Sequence, residues 1–321
     1  MRRVLPWVGA FLVAALAGGG AVVALNATVL GPGDFVRIYL DALARGDAEG
    51  ALSLPGVDAA GAGDTLLRDD VLTGIGDIRQ VRDEALGEGR HRITMSWSSP
   101  AGDGETAFEV ERIGTRLGLF PAWGFAESPV AVLDLDVRHD PRFLANGVAA
   151  STGRDSAGSV PLAVLVPGSY VLGHATTYLT ADEVTVVADE VGATIEAAVE
   201  VRPGPAFGPA LADAVATHLA ACAEQTILFP TGCPFGRSIE NRLASEPHWS
   251  IVHEPELEVE PGDFGTWIAG PAPGTAHLTV EVQSLFDGSV ETFDEDVPFQ
   301  ARYLVAVGAG GLTVWNAPGA D

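Results

Sequence analysis

The sequence predicts an α+β protein: an N-terminal apolar helix, then two helix-plus-sheet units flanking a small all-β sandwich. Three observations carry that expectation. Residues 4–30 contain no ionised side chain. Apolar residues recur at helical spacing in 34–47 and again in 209–226, each time ahead of several strand-like patterns. Between these two stretches, residues 128–202 carry only strand and turn signals.

The leader comes first. About 20 apolar residues cross a hydrocarbon core, and 4–30 reaches that length behind Arg2 and Arg3. Positive charge before the span keeps the N-terminus cytoplasmic and sends the C-terminus outside. The expectation is a signal-anchor over 1–30, in contact with the lipid bilayer through 4–30, on a single-pass cell-membrane protein. A cleavable export signal is the alternative, with its apolar region at 5–14 and Ala15-Leu16-Ala17 as the cleavage site. Ala21-Val22-Val23-Ala24-Leu25 continues the apolar run past that site and favours the anchor.

Composition narrows the chemistry. Of 321 residues 47% are hydrophobic, enough for packed cores. The 43 acidic residues face 18 basic ones, all arginine, for a net charge of −25. Such a surface repels nucleic acid. Without lysine there is no Schiff-base chemistry, no Ser-x-x-Lys acylation and no phosphate-binding P-loop.

Gly31-Pro32-Gly33 breaks the leader, and Asp34 is placed to cap a helix whose apolar stripe is Phe35, Ile38, Tyr39, Ala42 and Leu43. Arg37 and Asp41 sit one turn apart on its wet side. Arg45-Gly46-Asp47 ends it, 48–54 reads as a short continuation and 56–64 as a loop. Strands are expected at 78–86, 91–98, 106–113 and 117–125. Ile93, Met95 and Trp97 alternate with polar neighbours, as do Phe108 and Val110, so one face packs and one is wet. The stretch Asp34-Phe35-Val36-Arg37-Ile38-Tyr39-Leu40-Asp41-Ala42-Leu43-Ala44-Arg45-Gly46-Asp47 resembles the opening helix of the NTF2-like superfamily, and a last strand closing on Trp123 is also similar. That resemblance implies an α+β cone over 34–127.

Residues 128–202 read as the β-sandwich, with strands at 130–137 and 193–201 and a hairpin dipeptide at Asn146-Gly147. The run 162–172 reads as a strand, a Pro167-Gly168 turn and a returning strand. This Pro-Gly-x-Tyr element resembles the small repeats of PEGA-type and teicoplanin-resistance-associated envelope proteins. It implies an envelope-facing accessory or sensory role and supplies no catalytic residue. Pro203-Gly204-Pro205 marks the next boundary. A helix over 209–226 follows, with Leu211, Val215, Leu219 and Cys222 on one stripe, then a short helix near 238–244. Strands are expected at 249–260, 276–284, 297–307 and 311–315, ending on Trp315. This repeats the order of the first unit, so 206–318 is expected to be a second NTF2-like unit.

Cys222 and Cys233 are the only cysteines. In an exported chain they predict one disulfide. A zinc site built on His218 and Cys222 would need a distant His248 or His253 as a further ligand, and the cysteine spacing fits no familiar ligand pattern. Glu254, Glu256, Glu258 and Glu260 alternate with Leu257 and Val259, which in a strand would align four carboxylates on one face. They form either a solvated edge that keeps the strand from pairing or an interaction patch for a cationic partner or loosely held Ca²⁺, and no Gly-centred ligand spacing accompanies them. Asp134, Asp136 and Asp140 lack EF-hand spacing and fit an amphipathic strand. Asp294-Glu295-Asp296 reads as a solvated turn. Asp41, Tyr39 and His91 are the residues that could line a cone. No Gly-x-Ser-x-Gly, His-Glu-x-x-His or Gly-x-Gly-x-x-Gly motif occurs. The functional expectation is a membrane-anchored extracytoplasmic protein with a non-catalytic binding, scaffold or sensory role, no cofactor and no metal. Its partner would be an envelope protein or a cell-wall polymer. The alternative is a small-molecule-binding or isomerase-type cone.

Overall fold

A computed structural model describes residues 31–317, except 60, 117–119 and 309. Strands take up 52% of it and helices 12%, so the fold is β-rich and the expected α+β class is corrected. Neither end forms a cone, for reasons visible in each unit.

The first unit has one full helix, α1 (Pro32–Ala44), and one short helical turn, α2 (Ala48–Leu52). Asp34 lies in the first turn of α1, not at its cap, and its carboxylate accepts the Gly31 N–H at 3.0 Å. Asp47 caps α2 by accepting the Gly50 N–H at 2.7 Å. Strands β1 (Gly76–Gly87), β2 (Arg90–Ser99), β3 (Gly102–Arg116) and β4 (Phe120–Phe125) form an antiparallel meander in chain order. The α1 stripe of Val36, Tyr39, Leu40 and Leu43 is buried in one core with Ile93, Met95, Phe108 and Phe125. Tyr39 meets Phe125 at 5.1 Å and Phe108 at 6.1 Å between ring centroids. These rings fill the face of the sheet that a cone would leave hollow.

The middle unit has two sheets around a shared core. One runs β11 (Thr194–Glu200), β5 (Val130–Arg138), β8 (Val160–Leu165). The other runs β12 (Arg202–Pro203), β10 (Leu179–Ala188), β9 (Gly168–Ala175), β6 (Arg142–Ala145), β7 (Val148–Ser151). Asn146 and Gly147 join β6 to β7 with φ of 51° and 80°, the left-handed pair that a two-residue hairpin requires. The expected hairpin over 162–172 is not one. After Pro167-Gly168 the chain changes sheets: β8 pairs with β5, whereas β9 pairs with β10 and β6. Leu133, Leu135, Val164, Tyr170 and Leu172 are buried between the layers.

Several contacts tie the first unit to the middle one, among them Asn146 Nδ2 donating to Val71 O and Thr106 Oγ1 donating to Asp189 O, each at 2.7 Å. The Tyr39 hydroxyl donates toward the carbonyls of Pro129 (3.0 Å) and Val166 (2.9 Å). The loop after α2 adds a bridge at Gly63, which donates to Pro161 O at 2.9 Å and accepts from Ala163 N at 2.8 Å.

The last unit is one helix on a long hairpin. Helix α3 (Phe207–Ala223) packs Phe207, Leu211, Val215 and Leu219 into a core continuous with that of the middle unit. The expected helix near 238–244 is instead irregular chain and a two-residue strand, β13 (Arg242–Leu243). Strands β16 (Thr266–Gln283) and β17 (Val290–Gly308) are longer than the sequence suggested, and β18 (Gly311–Asn316) completes that side. Along its other edge β16 takes β15 (Val259–Pro261), β14 (His248–His253) and β13 in series. Pro271 and Pro273 lie between the residues that pair with β15, up to Ala269, and those that pair with β14, from Thr275. On that edge no strand pairs with the two prolines, and on the other side the register with β17 shifts between Ala269 and Ala272 before Pro273 meets Gln300, which is how two prolines are tolerated inside so long a strand.

The single-pass membrane assignment is also corrected. Among the described residues no helix is long and apolar enough to cross a membrane. The longest, α3, has 17 residues and carries Asp213 and His218, short of the roughly 20 apolar residues required. The segment 1–30 on which the anchor and its bilayer contact were expected lies outside the described residues.

Candidate functional site

Helix α3 organises the two places that hold the residues singled out in the sequence. Its spacing of Leu211, Val215 and Leu219 turns one stripe into the core, and the first two also border an outside groove. The opposite wall is the segment that leaves β14. A continuous strand over 249–260 would have aligned four glutamates. The ladder instead shifts register between Ile251 and His253, and Pro255 has no N–H to extend it, so 254–258 is irregular until β15 begins.

The result is a groove of about 420 Å³ between α3 and residues 252–257. Val252 and the half-buried Leu257 supply accessible apolar surface over the buried Leu211 and Val215, while His253, Glu254 and Glu256 supply polar rim. All four glutamates are exposed. Glu254 and Glu256 border the groove; Glu258 does not, and its backbone carbonyl accepts from Gly270 N at 2.9 Å. Glu260 belongs to β15, opposite Ile268. Among the described residues no arginine forms an ion pair with any of the four.

At the far end of α3, Cys222 and Cys233 form a disulfide. His218, one turn before Cys222, places Nε2 at 3.6 Å from Cys222 Sγ and donates to Gly232 O at 3.2 Å. Gln225 orders the enclosed loop, accepting the Thr231 N–H at 2.8 Å and directing its amide N–H at Cys233 Sγ from 3.5 Å. The Tyr303 ring stands edge-on to His218 at 5.5 Å, and its buried hydroxyl has no partner. Burial pushes that hydroxyl above the usual tyrosine range. His248 and His253 are exposed on β14 and do not join the cysteine cluster.

The remaining candidates are each engaged elsewhere. Tyr39 is a core residue, and burial holds its hydroxyl well above the usual range. Asp41 faces Arg37 on the surface of α1. His91 pairs with Asp83 at 2.7 Å and packs its edge against Trp123. These three have different partners and form no acid–base set. Asp136 pairs with Arg138 at 2.9 Å. Asp140 is buried, and burial alone would raise its carboxyl; hydrogen bonds from Arg142 outweigh that and hold it below the usual carboxylate range. Asp134 lies on β5 beside Glu196 of β11.

One arrangement was missed from the sequence. His277 of β16 is held between Asp294 and Asp296 of β17, at 2.8 Å from each. The hydrogen bond to Asp296 raises the imidazole above its ordinary value, and Asp294 adds to it. Only the cross-strand register could have revealed this.

No family model, curated protein or solved structure matches the chain. The NTF2-like and PEGA-type resemblances therefore rest on their short motifs alone.

Proposed function

We propose that this chain is a non-catalytic binding protein of an oxidising compartment, and that it holds a basic, amphipathic segment of a partner protein in the groove beside α3. The observation that carries this reading is the pairing of an apolar floor with unpaired carboxylates. Val252, 57% exposed, and the half-buried Leu257 can cover one face of a guest segment above the buried Leu211 and Val215, and Glu254 and Glu256 stand where arginines or lysines on its edge would lie. A net charge of −25 steers such a guest toward the molecule and away from nucleic acid. The disulfide supports the oxidising compartment. The filled aromatic core of the first unit speaks against the isomerase-type alternative.

The test is a titration with a synthetic helical peptide carrying leucine on one face and arginine on the other. The double variant Glu254→Gln/Glu256→Gln should bind roughly fivefold more weakly, the scale of two exposed ion pairs. Binding should also weaken with added salt. Equal affinity for the charged peptide and an arginine-to-glutamine version would defeat the proposal.

A further inference from the structure

We propose that reduction of the Cys222–Cys233 disulfide turns the end of α3 into a binding site for a thiophilic divalent cation of the zinc class, with Cys222 Sγ, Cys233 Sγ and His218 Nε2 as ligands. This inference is independent of the groove. Its basis is geometric: the ligand atoms of these three residues all lie within 4.8 Å of one another. His218 and Cys222 are four residues apart on α3, hence on one face, and the loop ordered by Gln225 brings Cys233 to them. Two thiolates and one imidazole, with water in the fourth position, form a recognised open zinc set. In the disulfide form the sulfurs carry no charge and are bonded to each other, so the set is unavailable.

The gating step balances as thiol–disulfide exchange with a dithiol reductant. Cys222 is 1% exposed, whereas Cys233 is only partly buried, so the incoming thiolate attacks Cys233 Sγ. The S–S bond breaks, a mixed disulfide forms, and Cys222 leaves as a thiolate beside His218. The second thiol of the reductant then attacks its own sulfur in the mixed disulfide and releases Cys233. The reductant is oxidised to a disulfide, and the protein gains two electrons and two protons. Cation binding displaces both thiol protons to solvent. His218 must free Nε2, so its ring proton moves to Nδ1 and the bond to Gly232 O is given up. Gln225, already directed at Cys233 Sγ, can donate to the thiolate.

The experiment uses the full chain, reduced with a phosphine under anaerobic conditions and titrated with Co²⁺ as a spectroscopic probe. One equivalent should bind, with a thiolate-to-cobalt charge-transfer band in the near ultraviolet that Zn²⁺ abolishes. The untreated disulfide form should give no band. His218→Ala, which leaves both cysteines in place, should bind at least tenfold more weakly while its circular dichroism matches wild type. The proposal is overturned if the reduced chain gives no band, if the oxidised chain gives the same one, if His218→Ala binds as tightly as wild type, or if reduction abolishes the β-sheet signal.

Discussion

Tyr39→Phe tests how the first unit is joined to the middle one. The single hydroxyl proton is shared between two carbonyls, Pro129 O at 3.0 Å and Val166 O at 2.9 Å, in a fully buried setting. These acceptors are not equivalent. Pro129 O also accepts the Val166 N–H at 3.0 Å and keeps that bond when the hydroxyl is removed. Val166 O loses its donor. Leaving one buried carbonyl unsatisfied costs about 1–3 kcal/mol, so a loss of about 1.5 kcal/mol is expected. With a urea slope of about 3 kcal/mol/M, that is a midpoint shift of roughly 0.5 M at neutral pH. A second readout comes from pH. Burial holds the Tyr39 hydroxyl well above the usual range in the folded chain, so the neutral form is the one that fits. Its contribution is complete below the unfolded tyrosine value, about 10, and declines as pH rises from there toward the folded value. Wild type should lose stability above pH 10 more steeply than Tyr39→Phe. Parallel pH profiles, or a midpoint shift below about 0.1 M, would refute the account of this junction.

Other expectations follow from the same geometry. Arg142→Ala should strip the buried Asp140 carboxylate of its partner and cost about 2 kcal/mol at neutral pH, discounted from a fully buried pair because the guanidinium is half exposed. The Asp140 value is depressed in the fold, so its contribution is present above the unfolded value of about 3.9 and lost as pH falls. Urea midpoints of the two proteins should therefore draw together as pH falls below about 3.9. His277 should titrate by NMR above an ordinary histidine, and Asp296→Asn should bring it back down. The imidazolium contribution is full below the unfolded value of about 6.5 and fades as pH rises through the folded one, so an unchanged titration in Asp296→Asn would rule out the clamp.

Local pattern exposed most strands, because one packed and one wet face imprint a period of two: Ile93, Met95 and Trp97 are all buried, as expected. It exposed the Asn146-Gly147 turn for an equally local reason. What it missed depends on pairing partners far away in sequence. Pro167-Gly168 looks like a turn, but only the partners of β8 and β9 reveal that the chain changes sheets there. Pro271 and Pro273 look like breakers, yet a gap between neighbouring strands on one edge and a register shift against β17 on the other accommodate them. The helical share was overestimated because 238–244 has helix-compatible spacing, whereas only Arg242–Leu243 is regular, as a short edge strand on β16. In the candidate site, the alternation of Glu254 to Glu260 suggested a single strand, and the loss of the ladder after His253 dispersed it. The disulfide was legible from cysteine count, whereas the place of His218 beside it depended on the helix.

Three short segments dock one after another on the same side of β16, like carriages on a rail, and residues 254–258 form the coupling between two of them. Such a coupling can lengthen, shorten or change charge while both neighbours keep their seats and the hairpin behind them is undisturbed. The wall facing α3 can thus vary without rebuilding the frame behind it.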